Sequence, residues 1–276
     1  MNTYAKSPYL ELLKKVLIDY DKIGSMEAYP LSIVNPNWKT FFLYPLDMLL
    51  RKRNFSISKL KYVSKENRIG GLDWPANAKT MIGYKRLTNI EYCIRTIWND
   101  GIEGDLIETG VWRGGASIFM KAVLNELKIS DKNVWLADSF QGLPKPKKKF
   151  ADDRSSNLHK QRILKVSKEE VENNFRSFDL LDDQVKFIEG WFDETLPDAP
   201  IRKLSLLRLD GDYYESTIIA LECLYPKLAI GGFVIIDDFN AFKSCKKAVL
   251  DYRFANDISE KMIEIDKHAI FWRKER

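Results

Sequence analysis

Cysteine and histidine are scarce in this chain, with three and two among 276 residues. Cys93, Cys223 and Cys245 are odd in number, far apart and without paired metal-ligand spacing, which excludes a disulfide framework or a zinc ribbon and leaves them as reduced core residues. No window approaches the roughly 18 apolar residues that a spanning helix needs. The opening MNTYAKSPYL lacks the basic-then-apolar order of a secretory leader, so a cytoplasmic protein with no membrane partner is expected. An excess of one charge is missing as well. Forty-four Lys and Arg against 39 Asp and Glu leave +5 and no long basic stripe, so a nucleic-acid partner finds no support. What is present is a 45% hydrophobic fraction, enough to fill the core of one large α/β domain.

Residues 1–66 differ in texture from the remainder. They are rich in Tyr, Leu, Lys and Asn and carry no chemical motif, which suits an N-terminal extension acting as a cap or oligomerisation element. Residues 67–276 read as the catalytic domain. From Arg86 the apolar residues Leu87, Ile90, Ile94, Ile97 and Trp98 recur at helical steps until Asn99, Asp100 and Gly101 end them. Apolar runs then alternate with helical segments: Asp105 to Thr109, Val134 to Ala137, Val185 to Glu189, Leu204 to Leu209 and Gly232 to Ile236. That alternation predicts a parallel sheet with helices on both faces. The runs Met262 to Ile265 and Ala269 to Trp272 are separated by three residues, which fits an antiparallel hairpin and not a crossover. Class I methyltransferases end their sheets this way, while on periodicity alone a dehydrogenase or nucleotide-binding module stays open.

The segment LIETGVWRGGAS, Leu106 to Ser117, places Glu108 and three glycines where a strand turns into a helix. Gly110, Gly114 and Gly115 do not form the G-x-G-x-x-G of a dinucleotide site. Glu108 would repel a pyrophosphate and accept a cationic aminoacyl group, which favours S-adenosylmethionine over NAD; a purely structural glycine turn is the alternative. The next strand ends at Asp138, where doubly wound folds put a carboxylate on a ribose diol. Phe140 beside it belongs either on the adenine or in the core. At the third strand end, Gly190, Trp191 and Phe192 are candidates for the adenine wall.

Two further strands end in acids, Asp210 and Asp212 in LRLDGDYYEST and Asp237 and Asp238 in GGFVIIDDF. Adjacent strands lie roughly 5 Å apart, so these carboxylates converge and need a counter-ion or raised pKa values. A hard cation such as Mg²⁺ answers both requirements, and it would stabilise the alkoxide of a hydroxyl acceptor before methyl attack. Asp212, offset from Asp210, is then a candidate base. Helix capping by Asp212 or Asp238 is the plain alternative. His159 lies in a polar loop with Lys145, Lys147, Lys148, Lys149, Asp152 and Asp153, a natural lid, and is the second candidate base. His268, in the terminal hairpin, reads as structural.

Taken in order, GLDWPANAKTMIGYKRLTNIE, LIETGVWRGGAS, LADSFQGLP, VKFIEGWFDETLP, LRLDGDYYEST, LYPKL and GGFVIIDDF resemble the macrocin O-methyltransferases, which methylate deoxysugar hydroxyls of macrolides and aminocoumarins. The resemblance runs from Gly71 to Trp272. It implies a Rossmann-like class I fold, with a mainly parallel seven-stranded sheet and an antiparallel C-terminal strand, acting in a homo-oligomer on a sugar-containing small molecule, the sugar belonging to a natural product, a polysaccharide or a nucleotide-linked sugar. It implies Mg²⁺ on Asp210, Asp237 and Asp238, with His159 or Asp212 as proton acceptor. Cofactor contacts would come from Thr80, Met81, Glu108, Gly110, Val111, Trp112, Asp138, Ser139, Phe140, Gly190, Trp191 and Phe192. Two rival readings remain at this point: a metal-dependent glycosyltransferase using Asp210-Gly211-Asp212 as a D-x-D motif, and a non-catalytic protein that binds S-adenosylmethionine.

Overall fold

Each apolar run of the C-terminal part becomes a strand in the computed structural model, which describes residues 6–38, 40–147 and 149–276. Lys148, part of the polar loop, lies outside the described residues. The strands β3 (Asp105–Thr109), β4 (Val134–Asp138), β5 (Val185–Glu189), β6 (Leu204–Leu209) and β7 (Leu228–Ile236) pair in parallel. Two short strands, β8 (Ile263–Glu264) and β9 (Ile270–Arg273), complete the sheet in antiparallel sense. The order is β5-β4-β3-β6-β7-β9-β8. All six residues of β6 are buried, as a central strand covered on both faces requires. Strand β7 starts earlier than the expected Gly232, because Leu228 already pairs with Leu204 across an irregular register.

The helices α5 (Gly115–Glu126), α6 (Lys168–Arg176), α7 (Phe192–Thr195), α8 (Tyr214–Leu224) and α9 (Lys243–Ala255) lie between or after these strands. Helix α4 (Tyr84–Asn99) precedes them and buries Leu87, Ile90, Ile94 and Ile97, the periodic stripe read from the sequence. Among the described residues, no helix is long and apolar enough to cross a membrane.

Before α4 come α1 (Pro8–Leu17), β1 (Met26–Pro30), α2 (Leu43–Arg51), β2 (Ser58–Tyr62) and α3 (Lys65–Gly70). Ser7 caps α1 through its hydroxyl, and Leu10, Leu13 and Leu17 enter the same core as α4 and α5. β1 and β2 form a separate antiparallel pair. A buried Arg68 joins these pieces by bonding Glu27 at 2.7 Å and Asp73 at 2.9 Å. Glu27 in turn accepts the backbone N–H of Ala76 (3.0 Å) and Asn77 (3.1 Å). Residues 71–80 are thereby pinned alongside the sheet.

From β3 the chain winds outward through β4 and β5, then returns to the other side of β3 through β6 and β7. The crevice at the carboxyl ends of β3 and β6 is therefore the switch point where open α/β sheets bind ligands.

Candidate active site

The sheet ladder runs one residue past the strand ends. Gly110 N–H donates to Ala137, Asp210 N–H to Thr109, Asp237 N–H to Leu209 and Gly190 N–H to Asp138, all at 2.9–3.0 Å. These bonds bring Asp138, Asp210 and Asp237 to one level at the crevice. Gly110 cannot be replaced there: its φ is +78°, and a Cβ would fall 1.7 Å from the Asp210 carbonyl oxygen.

Two cavities open at this level. The first, about 370 Å³, is lined by Met81, Gly110, Trp112, Asp138, Ser139, Gly190, Trp191 and Phe192 among others. The second, about 340 Å³, lies between Leu72, Trp74, Phe242 and His268 and contains Asp237 and Asp238. Met81, Leu164, Asp210 and Asp212 line both, so the two cavities share a wall.

Eight of the twelve expected cofactor contacts thus meet in the first cavity, and four stand behind it. Val111 is buried and donates its N–H to Asp138 Oδ2 at 2.7 Å. Phe140, with a left-handed φ of 54°, is a core ring tilted 51° against that of Phe187, while its N–H donates to Asp138 Oδ1 at 2.8 Å. Thr80 is buried, its Oγ1 accepting the N–H of Ile82. Glu108 lies beneath the floor, bonded to the Ser117 hydroxyl and to Arg208 at 2.5 Å. Burial pushes its carboxyl up to about 7, although the guanidinium of Arg208 opposes that shift.

Asp210, Asp237 and Asp238 each place a carboxylate oxygen within 4.8 Å of the other two. Two arginines that the sequence reading passed over hold this cluster. Arg208, 1% exposed, donates to Asp210 at 2.9 Å and to Asp237 at 2.6 Å as well as to Glu108. Arg86 donates to Asp237 at 2.5 Å and to Asp266 at 2.7 Å. Both oxygens of Asp237 are therefore occupied by guanidinium groups, whereas Asp238 Oδ2 is buried with no hydrogen-bond partner. An orphaned carboxylate oxygen beside two more carboxylates suits a hard divalent cation. Burial raises the pKa of Asp210, and that of Asp238 and Asp212 well above the carboxylate range, with neighbouring carboxylates adding to the shift.

Neither Asp212 nor Asp238 caps a helix with its side chain. Helix α8 is capped by Asp153, which accepts from Tyr214 (2.7 Å) and Glu215 (3.1 Å), and α9 has no side-chain cap. Asp212 sits instead at a left-handed φ of 56° on the shared wall. His159 lines neither cavity; it lies in the turn Leu158–Lys160 with Nδ1 buried and unpartnered. Lys147 of the same loop does reach the first cavity, pairing with Asp193 (2.6 Å) and Glu215 (2.7 Å). His268, read as structural from the sequence, stands in the wall of the second cavity, with Asp266 Oδ1 accepting its backbone N–H at 2.8 Å.

The macrocin-O-methyltransferase (TylF) family matches residues 6–274, nearly the whole chain. The chain belongs to this family. Demethyldecarbamoylnovobiocin O-methyltransferase of Streptomyces niveus is 49% identical over 82% of this chain and 86% of its own length. The 8-demethyl-8-(2,3-dimethoxy-alpha-L-rhamnosyl)-tetracenomycin-C 4'-O-methyltransferase of Streptomyces olivaceus is 52% identical over 75% and 79%. The solved O-methyltransferase NovP superposes with a TM-score of 0.81 at 42% identity, covering 97% of this chain and 98% of that one. Membership in the macrocin O-methyltransferase family makes the chain an S-adenosylmethionine-dependent O-methyltransferase and removes both the glycosyltransferase and the non-catalytic readings.

Proposed function

We propose that this enzyme transfers the methyl group to a hydroxyl of a sugar-containing small molecule with the help of Mg²⁺. The observation that carries the reading is the wall shared by the two cavities. It includes Asp210 and Asp212 beside Met81 and Leu164, so a donor in the first cavity and an acceptor in the second would meet at the acidic cluster. S-adenosylmethionine supplies an electrophilic methyl on a sulfonium, and Asp210, Asp237 and Asp238 would hold a divalent cation, which would supply Lewis-acid activation of the acceptor hydroxyl. Asp138 would accept from a ribose diol, and Trp191 and Phe192 would cover the adenine, a reading supported by their lining the first cavity. Arg208 and Arg86 fix the orientation of Asp237. Trp74 and Phe242 offer apolar faces for the carbon side of a sugar ring. The N-terminal segment acts as a cap, a role supported by Tyr29, which packs with Ala76 and Ile163 beside Trp112. The sugar class follows the family relatives; a screen of sugar acceptors with labelled cofactor, with and without EDTA, tests it. Transfer that proceeds undiminished in EDTA would remove the cation.

Asp212 is the proton acceptor in this reading, because it alone of the two candidates reaches the shared wall. Asp212→Asn is expected to slow the chemical step by about 10²–10⁴-fold and abolish the acidic limb of the pH-rate profile. His159→Ala should stay within about threefold of the parent, far below a general-base effect. The reverse ranking would transfer the role to His159. Trp191→Ala should weaken S-adenosylhomocysteine by about tenfold in calorimetry, since an aromatic face of the first cavity is lost. Unchanged affinity would take Trp191 out of the cofactor wall.

A further inference from the structure

Around α2 the usual burial order is inverted. The helix buries its one acid, Asp47, whose carboxylate accepts from the N–H of Ile57 and from Arg51 Nε, both at 2.7 Å. Tyr44 turns its hydroxyl inward to the Val34 carbonyl at 2.6 Å. The apolar side chains point out instead: Met48 is 69% and Leu49 61% exposed, Phe41 63% and Phe42 82% precede the helix, and Phe55 follows at 66%. Clustered apolar exposure of this kind marks an interaction site.

Charge singles out the same stretch. Residues 38–62 hold six Lys and Arg against Asp47, a net +5 equal to that of the entire chain. Everywhere else the charges cancel. Lys39 lies outside the described residues, while Arg51, Lys52 and Arg53 follow directly on the apolar face and are exposed. A whole-chain balance averages this concentration away, which is why the sequence showed no basic stripe.

The occupant has to satisfy both features. A second copy meeting this face across a two-fold axis would bring the exposed Arg51, Lys52 and Arg53 against their own copies. Nucleic-acid phosphates would pair with the cations but leave Met48, Leu49 and Phe42 in water. A bilayer with anionic headgroups accepts all of them, with the rings and aliphatic chains at the acyl boundary and the cations at the phosphates. We propose that residues 38–62 dock the enzyme on an anionic lipid surface. The lack of a spanning segment does not bear on this, because a face lying in the interface needs no such length.

The face is also tied to the active site. Asn35 Nδ2 donates to Gln161 at 2.6 Å, Asn35 Oδ1 accepts the Arg162 N–H at 3.0 Å, and the Arg162 guanidinium stands 5.1 Å from the Tyr44 ring centre. Leu164, two residues further, lines both cavities. Docking thus engages the segment that walls the site, whatever the acceptor is.

The test is co-sedimentation of the full chain with vesicles of phosphatidylcholine alone or with about one-third phosphatidylglycerol. Binding should be at least about tenfold stronger to the anionic vesicles and weaken as salt rises from about 0.1 to 0.5 M. The double variants Phe41→Ser/Phe42→Ser and Lys52→Gln/Arg53→Gln should each lower it by at least about tenfold with an unchanged melting temperature, because these side chains are exposed. Absent binding, or equal binding to neutral and anionic vesicles, would overturn the proposal. So would a dimer in light scattering that dissociates in Phe41→Ser/Phe42→Ser, since a second copy would then cover the face.

Discussion

Asp238→Asn is expected to cut methyl transfer by about 10³-fold, roughly 4 kcal/mol of transition-state stabilisation, while leaving the fold intact. The reason lies in which oxygens are already engaged. Asp237 accepts from Arg208 and Arg86 on its two oxygens, so its removal would confound lost chemistry with two stranded guanidinium groups. Asp238 Oδ2 has no protein partner, and the substitution relieves repulsion from Asp210, Asp212 and Asp237. The melting temperature should therefore hold or rise. Affinity for S-adenosylhomocysteine should stay within about tenfold, or roughly 1.4 kcal/mol, because Asp238 does not line the first cavity, the proposed cofactor site. Single-turnover transfer and calorimetry read the two effects separately. A parental rate in Asp238→Asn would dissociate the acidic cluster from the reaction.

Arg208→Met should produce the largest loss of stability of any single change at the site. Its side chain is 1% exposed and bonds Glu108, Asp210 and Asp237 at 2.5, 2.9 and 2.6 Å. Taking away the cation leaves two buried carboxylates, Glu108 and Asp237, and the half-buried Asp210 without it, which costs about 3–5 kcal/mol and lowers the melting temperature by about 10 °C in a chain of this size. Because the stranded groups are acids, the deficit should shrink as pH falls and they take up protons. A scan of melting temperature between neutral and mildly acidic pH reads this directly. A variant that melts like the parent at neutral pH would mean the carboxylates are neutralised by something other than Arg208.

The sheet was legible because its strands are short apolar runs with acids or glycines at their carboxyl ends. The acids that converge, Asp138, Asp210, Asp237 and Asp238, could be named from those positions alone. Arg208 was legible in principle: it sits two residues before Asp210, and a period of two puts both side chains on one face of β6. Arg86 was not, since its partner Asp237 is 151 residues away and a helix-opening arginine gives no local sign of where it reaches. Glu108 was read as a ligand contact because a strand-end carboxylate beside glycines suggests one; its burial under Ser117 and Arg208 depends on the neighbouring strand. The N-terminal segment carried no periodic signal strong enough to show that α1 enters the main core through Leu10, Leu13 and Leu17.

The ladder bonds that carry Asp210 and Asp237 one residue past their strands have a consequence for how this enzyme can change. The carboxylates proposed to carry the reaction hang on the sheet, while Leu72, Trp74, Ala241, Phe242 and His268 of the second cavity come from connecting segments. Those connections can be exchanged or lengthened without moving the carboxylates, so new acceptors can be accommodated by altering loops on an unchanged catalytic frame.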